Sequence, residues 1–162
     1  MIKSSYSITD KIVLLLATGF YSGHAPKAPG TVGTIIAILP LLLLQKLPLS
    51  AYLSIVLTAC IVGFYICDKA DKLLKTHDNK AIVWDEFCGL WITFIAIPAD
   101  WLTLFVGFVL FRFFDIVKPW PISLADRKVA GGVGVMLDDI LAGILSLAVL
   151  HGLLFVHVLP LS

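Results

Sequence analysis

The sequence predicts an all-α membrane protein: a polytopic helical bundle of about five transmembrane helices plus a short N-terminal re-entrant or interfacial helix. Three observations predict it. Hydrophobic residues make up 59% of the 162 positions, and the mean hydropathy is +0.99. Charged residues are 14%, where soluble domains carry about 25%. Long charge-free stretches recur along the chain. A water-soluble domain of this size buries only about two-thirds of its surface, so this composition would leave large apolar patches in water. The net charge of +1 leaves no basic excess to neutralise a phosphate backbone, which excludes a nucleic-acid binder. Cys60, Cys67 and Cys88 stand singly in apolar runs, without the clustered spacing of a zinc site or a disulfide framework.

Taken in order, Ile12–Gly23 offers 12 apolar-rich residues, about 18 Å as helix against a hydrocarbon core of about 30 Å. It is too short to span, and its apolar part is too short for a cleaved signal peptide. Ala28–Gln45, Leu47–Cys67 and Ile140–Ser162 are charge-free over 18, 21 and 23 residues, near the roughly 20 that a crossing requires. Phe87–Phe111 is interrupted only by Asp100. Pro98 and Asp100 are turn chemistry, so two shorter helices are expected near Ile82–Ile97 and Trp101–Ile116, joined by a tight hairpin.

Basic residues orient the bundle. With the segment Asp68–Lys80 on the cytoplasmic side, Lys27, Lys69, Lys72, Lys75, Lys80, Arg112, Lys118, Arg127 and Lys128 all fall inside, and only Lys46 falls outside. Lys3 and Lys11 join them if the first apolar segment does not cross. This is the asymmetry of the positive-inside rule. It also gathers the polar segments on one face.

Those segments hold the acids. Of ten aspartates and one glutamate, six sit in clusters: Asp78 with Asp85 and Glu86, then Asp115, then Asp138 with Asp139. A carboxylate at helix-centre depth costs about 2.5–3.5 kcal/mol on insertion scales. Glu86, Gly89 and Thr93 share one helix face, and Asp139, Gly143 and Ser146 share another. Both acids therefore lie on stripes of small residues, the kind that let helices approach closely. Asp115 is one turn from Arg112, where a local ion pair is the plain alternative. If the faces converge, their oxygens repel unless a cation sits among them, and all-oxygen ligation suits Mg²⁺.

The remaining polar stretches suit a phosphate. In Ala28-Pro-Gly-Thr-Val-Gly-Thr34, Thr31 is a natural N-cap, and a helix N-terminus favours anions. Gly131-Gly-Val-Gly134 reads as either a phosphate nest or a flexible linker. Pro119-Trp120-Pro121 is a rigid turn holding Lys118 near the carboxylates, with Trp120 suited to the headgroup belt. His77 neighbours Asp78, as a surface-loop residue or a site residue. His24, His151 and His157 read as structural.

Four segments together resemble the phosphatidylglycerophosphatase A family of bacterial inner-membrane lipid phosphatases. They are Ala28-Pro-Gly-Thr-Val-Gly-Thr34, His77-Asp-Asn-Lys-Ala-Ile-Val-Trp-Asp-Glu-Phe-Cys-Gly89, Phe111-Arg-Phe-Phe-Asp-Ile-Val-Lys-Pro-Trp-Pro-Ile122 and Gly131-Gly-Val-Gly-Val-Met-Leu-Asp-Asp-Ile-Leu-Ala-Gly143. With their surroundings they cover Gly19 to Gly143, 125 of the 162 residues. The resemblance implies a Mg²⁺-dependent enzyme in the bacterial inner membrane, with its active site facing the cytoplasm. It would convert phosphatidylglycerophosphate to phosphatidylglycerol and inorganic phosphate. On that basis Glu86, Asp138 and Asp139 are expected to hold Mg²⁺, with Asp115 a fourth ligand. Asp85 is expected to act as general base or nucleophile, Asp85, Glu86 and Asp139 forming the catalytic core. Thr31, His77, Arg112 and Lys118 are expected to engage phosphate or headgroup. The bilayer and its lipid substrate are the partners, and Gly-rich helix faces permit a dimer.

Other phosphatase chemistries fit poorly. A cysteine phosphatase needs Arg six residues after its nucleophile, and Phe94 stands there after Cys88. No Asp-x-Asp occurs for an aspartyl-phosphate enzyme. Ser22-Gly23-His24 matches one element of the histidine-dependent lipid phosphatases, but neither Arg112 nor Arg127 precedes proline as their other elements require. A membrane transporter or channel for a cation or phosphorylated solute is the alternative class, since intramembrane acids often mark transport. Against it, the acids gather at one face and no inverted repeat is visible.

Overall fold

The structure is a computed structural model and describes residues 6–75, 79–129 and 131–156. These residues form seven α-helices, α1 (Ile8–Ala17), α2 (Pro29–Leu44), α3 (Leu49–Leu74), α4 (Trp84–Thr93), α5 (Trp101–Val117), α6 (Ile122–Lys128) and α7 (Gly131–Phe155), and no strand is present among them.

A capping box fixes the start of α1: the Ser7 hydroxyl accepts from the Asp10 amide and the Asp10 carboxylate accepts from the Ser7 amide. The helix buries Val13, Leu14 and Ala17 and leaves Ile8 and Ile12 exposed. Asp10 pairs with Lys69 of α3 at 2.8 Å. Beyond α1 the chain reverses through Gly19, Phe20 and Tyr21, all at positive φ (52°, 55° and 72°). Gly23 then sits so close to the loop before α4 that a Cβ there would lie 2.1 Å from the Ala81 carbonyl oxygen. The Val83 amide donates to the Ala17 carbonyl at 2.8 Å, tying the start of α4 to the end of α1.

Helix α2 begins earlier than expected. Pro29 occupies its first turn, preorganised by its ring, and Ala28 is the N-cap in left-handed conformation (φ 47°). Thr31 is therefore inside the first turn and is not the cap. Helix α3 runs past Cys67 to Leu74, its polar end supported by an Asp68–Lys72 pair at 2.6 Å.

Helix α4 is shorter than the expected Ile82–Ile97: it has ten residues, all buried except Trp84. An interior helix that is apolar all round needs neighbours on every side, and α2, α3, α5 and α7 supply them. Carbonyls at its early end also accept from side chains of α3, α7 and the C-cap of α2. The Tyr52 hydroxyl donates to Trp91 O at 2.6 Å, Gln45 Nε2 donates to Phe94 O at 3.2 Å, and His151 Nε2 lies 3.2 Å from Ile95 O. After the turn at Pro98, the Asp100 carboxylate caps α5 by accepting from the amides of Leu102 and Thr103.

Helix α7 starts at Gly131, not Ile140. The Gly131–Gly134 run is neither nest nor linker but the first turn of this helix. Gly132 packs on α3 so tightly that a Cβ would lie 2.2 Å from the Asp68 amide nitrogen. Helix α6 was not foreseen. By length and composition, two helices, α3 and α7, suffice to cross a membrane. Helices α2 and α5 have 16 and 17 residues and α4 has ten, so helix length supports two of the roughly five expected crossings. The outer surfaces nevertheless stay apolar, with Leu43, Leu57, Ile61, Phe105 and Phe113 exposed, as lipid contact demands and water does not.

Candidate active site

The site forms where the small-residue stripes of α4 and α7 cross. A Cβ on Gly143 would lie 2.5 Å from Gly89 O, and one on Gly89 would lie 2.7 Å from Asp139 O. Backbones this close bring the acids one turn away into contact range. Asp85, Glu86 and Asp139, all buried, each offer a carboxylate oxygen, and the three oxygens lie within 4.8 Å of one another. The sequence reading of two helix faces converging is what the structure contains.

Around this trio is a cavity of about 670 Å³. The first turn of α2 forms one wall, with Thr31 in it; Asn79 and Lys80 contribute from the loop before α4; Asp115 and Lys118 come from the end of α5. Glu86 reaches the α2 wall because Gly30 has no side chain: a Cβ there would lie 2.2 Å from Glu86 Oε1.

Basic groups stand among the acids. Arg112 Nη1 is 2.7 Å from Asp115 Oδ2 and 3.7 Å from Glu86 Oε1, and it donates to Thr34 Oγ1 at 3.4 Å. Lys118, held at positive φ (48°) just past α5, donates to Asp126 and, at 2.7 Å, to Asp138 Oδ2. Burial alone would lower the Lys118 ammonium, but the carboxylates of Asp126 and Asp138 outweigh it and raise it above the ordinary lysine range. The same hydrogen bond from Lys118 lowers Asp126 below the usual carboxylate value.

Of the five buried carboxylate oxygens among the described residues that have no hydrogen-bond partner, four belong to this cavity, Asp85 Oδ1, Glu86 Oε2, Asp138 Oδ1 and Asp139 Oδ2, and the fifth, Asp71 Oδ1, lies outside it. Unpaired oxygens in the interior are costly, and the donor set they make together suits a cation.

Thus Asp85, Glu86 and Asp139 come together, while Asp138 and Asp115 line the same cavity outside that trio, each with one oxygen held by a basic neighbour. Thr31, Arg112 and Lys118 line the cavity. His77 and Asp78 lie outside the described residues. Three contributors were missed. Thr34 and Gly30 are both within the first quoted segment, where only Thr31 drew notice; Asp126 carried no signal because α6 had not been recognised.

The model of the phosphatidylglycerophosphatase A family matches residues 15–154. The chain is 46% identical over 138 residues to phosphatidylglycerophosphatase A of Escherichia coli (strain K12), covering 85% of this chain and 80% of that one. It is 42% identical over 141 residues to phosphatidylglycerophosphatase A of Haemophilus influenzae, covering 86% of each chain. No solved structure matches it. With the family pattern extending over most of its length, the chain is a phosphatase and belongs to the phosphatidylglycerophosphatase A family.

Proposed function

We propose that the protein removes the terminal phosphate of phosphatidylglycerophosphate, yielding phosphatidylglycerol and inorganic phosphate, with Mg²⁺ held in the acid cluster. One observation carries the metal: four buried, unpartnered carboxylate oxygens face a cavity sized for a phosphorylated headgroup. Glu86 and Asp139 are the ligands that sequence and geometry agree on. Asp85 joins them, which moves it from a separate base or nucleophile into the oxygen set. Asp138 Oδ1 extends that set, and Asp115, engaged by Arg112, contributes its charge beside it.

When bound, Mg²⁺ supplies the positive charge that phosphoryl transfer needs at the oxygens of the reacting phosphate. The chain's own groups do the rest. Gly30 and Thr31 present amides of the α2 first turn, which has no side-chain cap, and such amides favour an anion. Arg112 and Lys118 flank the cavity to balance charge that develops on the phosphate. The buried walls exclude bulk water, which strengthens each of these interactions.

The basic residues gather at the end that carries the site, supporting a bacterial inner-membrane protein whose cavity opens to the cytoplasm. A transport role fits less well, because the acids cluster at one end of the bundle.

Phosphate release from the purified protein in detergent tests this reading. Turnover of phosphatidylglycerophosphate should stop in EDTA and return with Mg²⁺, and D85N, E86Q and D139N should each lower kcat at least a hundredfold while melting cooperatively. Turnover that persists in EDTA, or three variants near wild type, would overturn it.

A further inference from the structure

Asp126 lines the cavity but has no task in the reaction as proposed. It sits on the two-turn helix α6, whose only buried residue is Ile122. It pairs with the Lys118 ammonium, which it shares with Asp138, and its side chain also meets that of Asp138. The two acids differ sharply in setting: the Asp126 side chain is 46% exposed and that of Asp138 is 6%. Asp138 gives Oδ2 to the ammonium, while its Oδ1 is buried without a partner next to the Asp85, Glu86 and Asp139 trio.

A lysine is a point charge on a flexible four-carbon stem, so one contact leaves it free to swing. Two carboxylates on different elements, α6 and α7, fix where the ammonium stands. Fixing it fixes Asp138 Oδ2, and a planar carboxylate with one oxygen fixed has its other oxygen aimed. We infer that Asp126 is a positioning residue: by clamping Lys118, it holds Asp138 so that Oδ1 completes the oxygen set around the metal. The competing view is an ordinary surface ion pair, which contributes little to anything. That view gives Asp126 no influence on the buried Asp138 carboxylate.

This rests on the metal reading above and is tested separately from it. Mn²⁺ binding to the purified full chain in detergent is followed by electron paramagnetic resonance, alongside Mg²⁺-dependent kcat and KM. Groups that orient a metal ligand typically alter affinity about 10–100-fold. D126N should weaken Mn²⁺ binding by about that factor and lower kcat with KM held, with only a small fall in melting temperature, and D126E should recover most of both. Because the clamp on Lys118 is the main route by which Asp126 acts, D126N should lose far less affinity in a K118M background than in wild type. D126N that binds Mn²⁺ like wild type, or that loses as much affinity in K118M as in wild type, overturns the assignment. Wild-type protein that binds no Mn²⁺ overturns the metal reading itself, a result distinct from equal binding by wild type and D126N.

Discussion

Gly30 and Glu86 constrain each other's size. An alanine at position 30 would put its Cβ 2.2 Å from Glu86 Oε1 and 3.2 Å from Arg112 Nη2, so one of the charged groups has to move. G30A is expected to fold and to lose at least tenfold in turnover, measured as phosphate release. The Lys118–Asp126 pair makes a prediction in pH. Asp126 has a lowered folded pKa, so its contribution is present above the ordinary carboxylate value and disappears as pH falls through the lowered one. Lys118 is raised, so its contribution is full below the ordinary lysine value and disappears only as pH rises through the raised one. The melting-temperature difference between wild type and D126N should therefore be flat from about pH 5 to 9 and shrink below about pH 4. At this scale the sequence was informative wherever chemistry follows helical spacing: Arg112 with Asp115, and Glu86 and Asp139 on small-residue stripes. It was silent on Gly30 and Asp126, whose partners are set by how distant segments fold together.

Two glycines of α7 separate packing from propensity. At Gly143 a Cβ would meet Gly89 O at 2.5 Å, whereas at Gly152 it would meet nothing within 4 Å. G143A should destabilise by about 1–3 kcal/mol through overpacking and weaken Mn²⁺ binding by parting α4 from α7. G152A should stabilise by about 0.5–1 kcal/mol, as alanine does in an open helical position. Both are read from denaturant melts in the same detergent. Helix α4 adds a third test, since Y52F removes one of two donors to Trp91 O, the other being the Phe94 amide, and should cost about 0.5–1.5 kcal/mol. The Pro98–Asp100 turn was legible because its residues carry their own local chemistry. The start of α7 was not, because a glycine-rich run has poor helix propensity and becomes helix only against the α3 backbone. The end of α4 was hidden for a similar reason: the partners that satisfy its carbonyls, Gln45, Tyr52 and His151, come from elsewhere in the chain.

Across the whole molecule, Trp101 and Trp120 flank α5 and are 80% and 78% exposed. Tryptophans placed so are suited to the two interfaces of a bilayer. Trp120 lies at the end that holds the cavity, with Arg127 and Lys128 close behind it in sequence. If that end faces the cytoplasm, K72C and R127C should react with a membrane-impermeant maleimide in inverted vesicles and resist it in intact spheroplasts; the reverse pattern would turn the molecule over. The all-helical class was legible from composition, while the number of crossings was not, because buried α4 and outward-facing α3 look equally apolar in sequence. Helix α4 begins at the acids and stops after ten residues, enclosed on all sides. The interior beyond the acids is filled by Phe87, Trp91, Phe94 and Phe111, none of which lines the cavity. On the proposed reading, an interior plugged in this way makes freed phosphate depart on the side from which the lipid headgroup arrived.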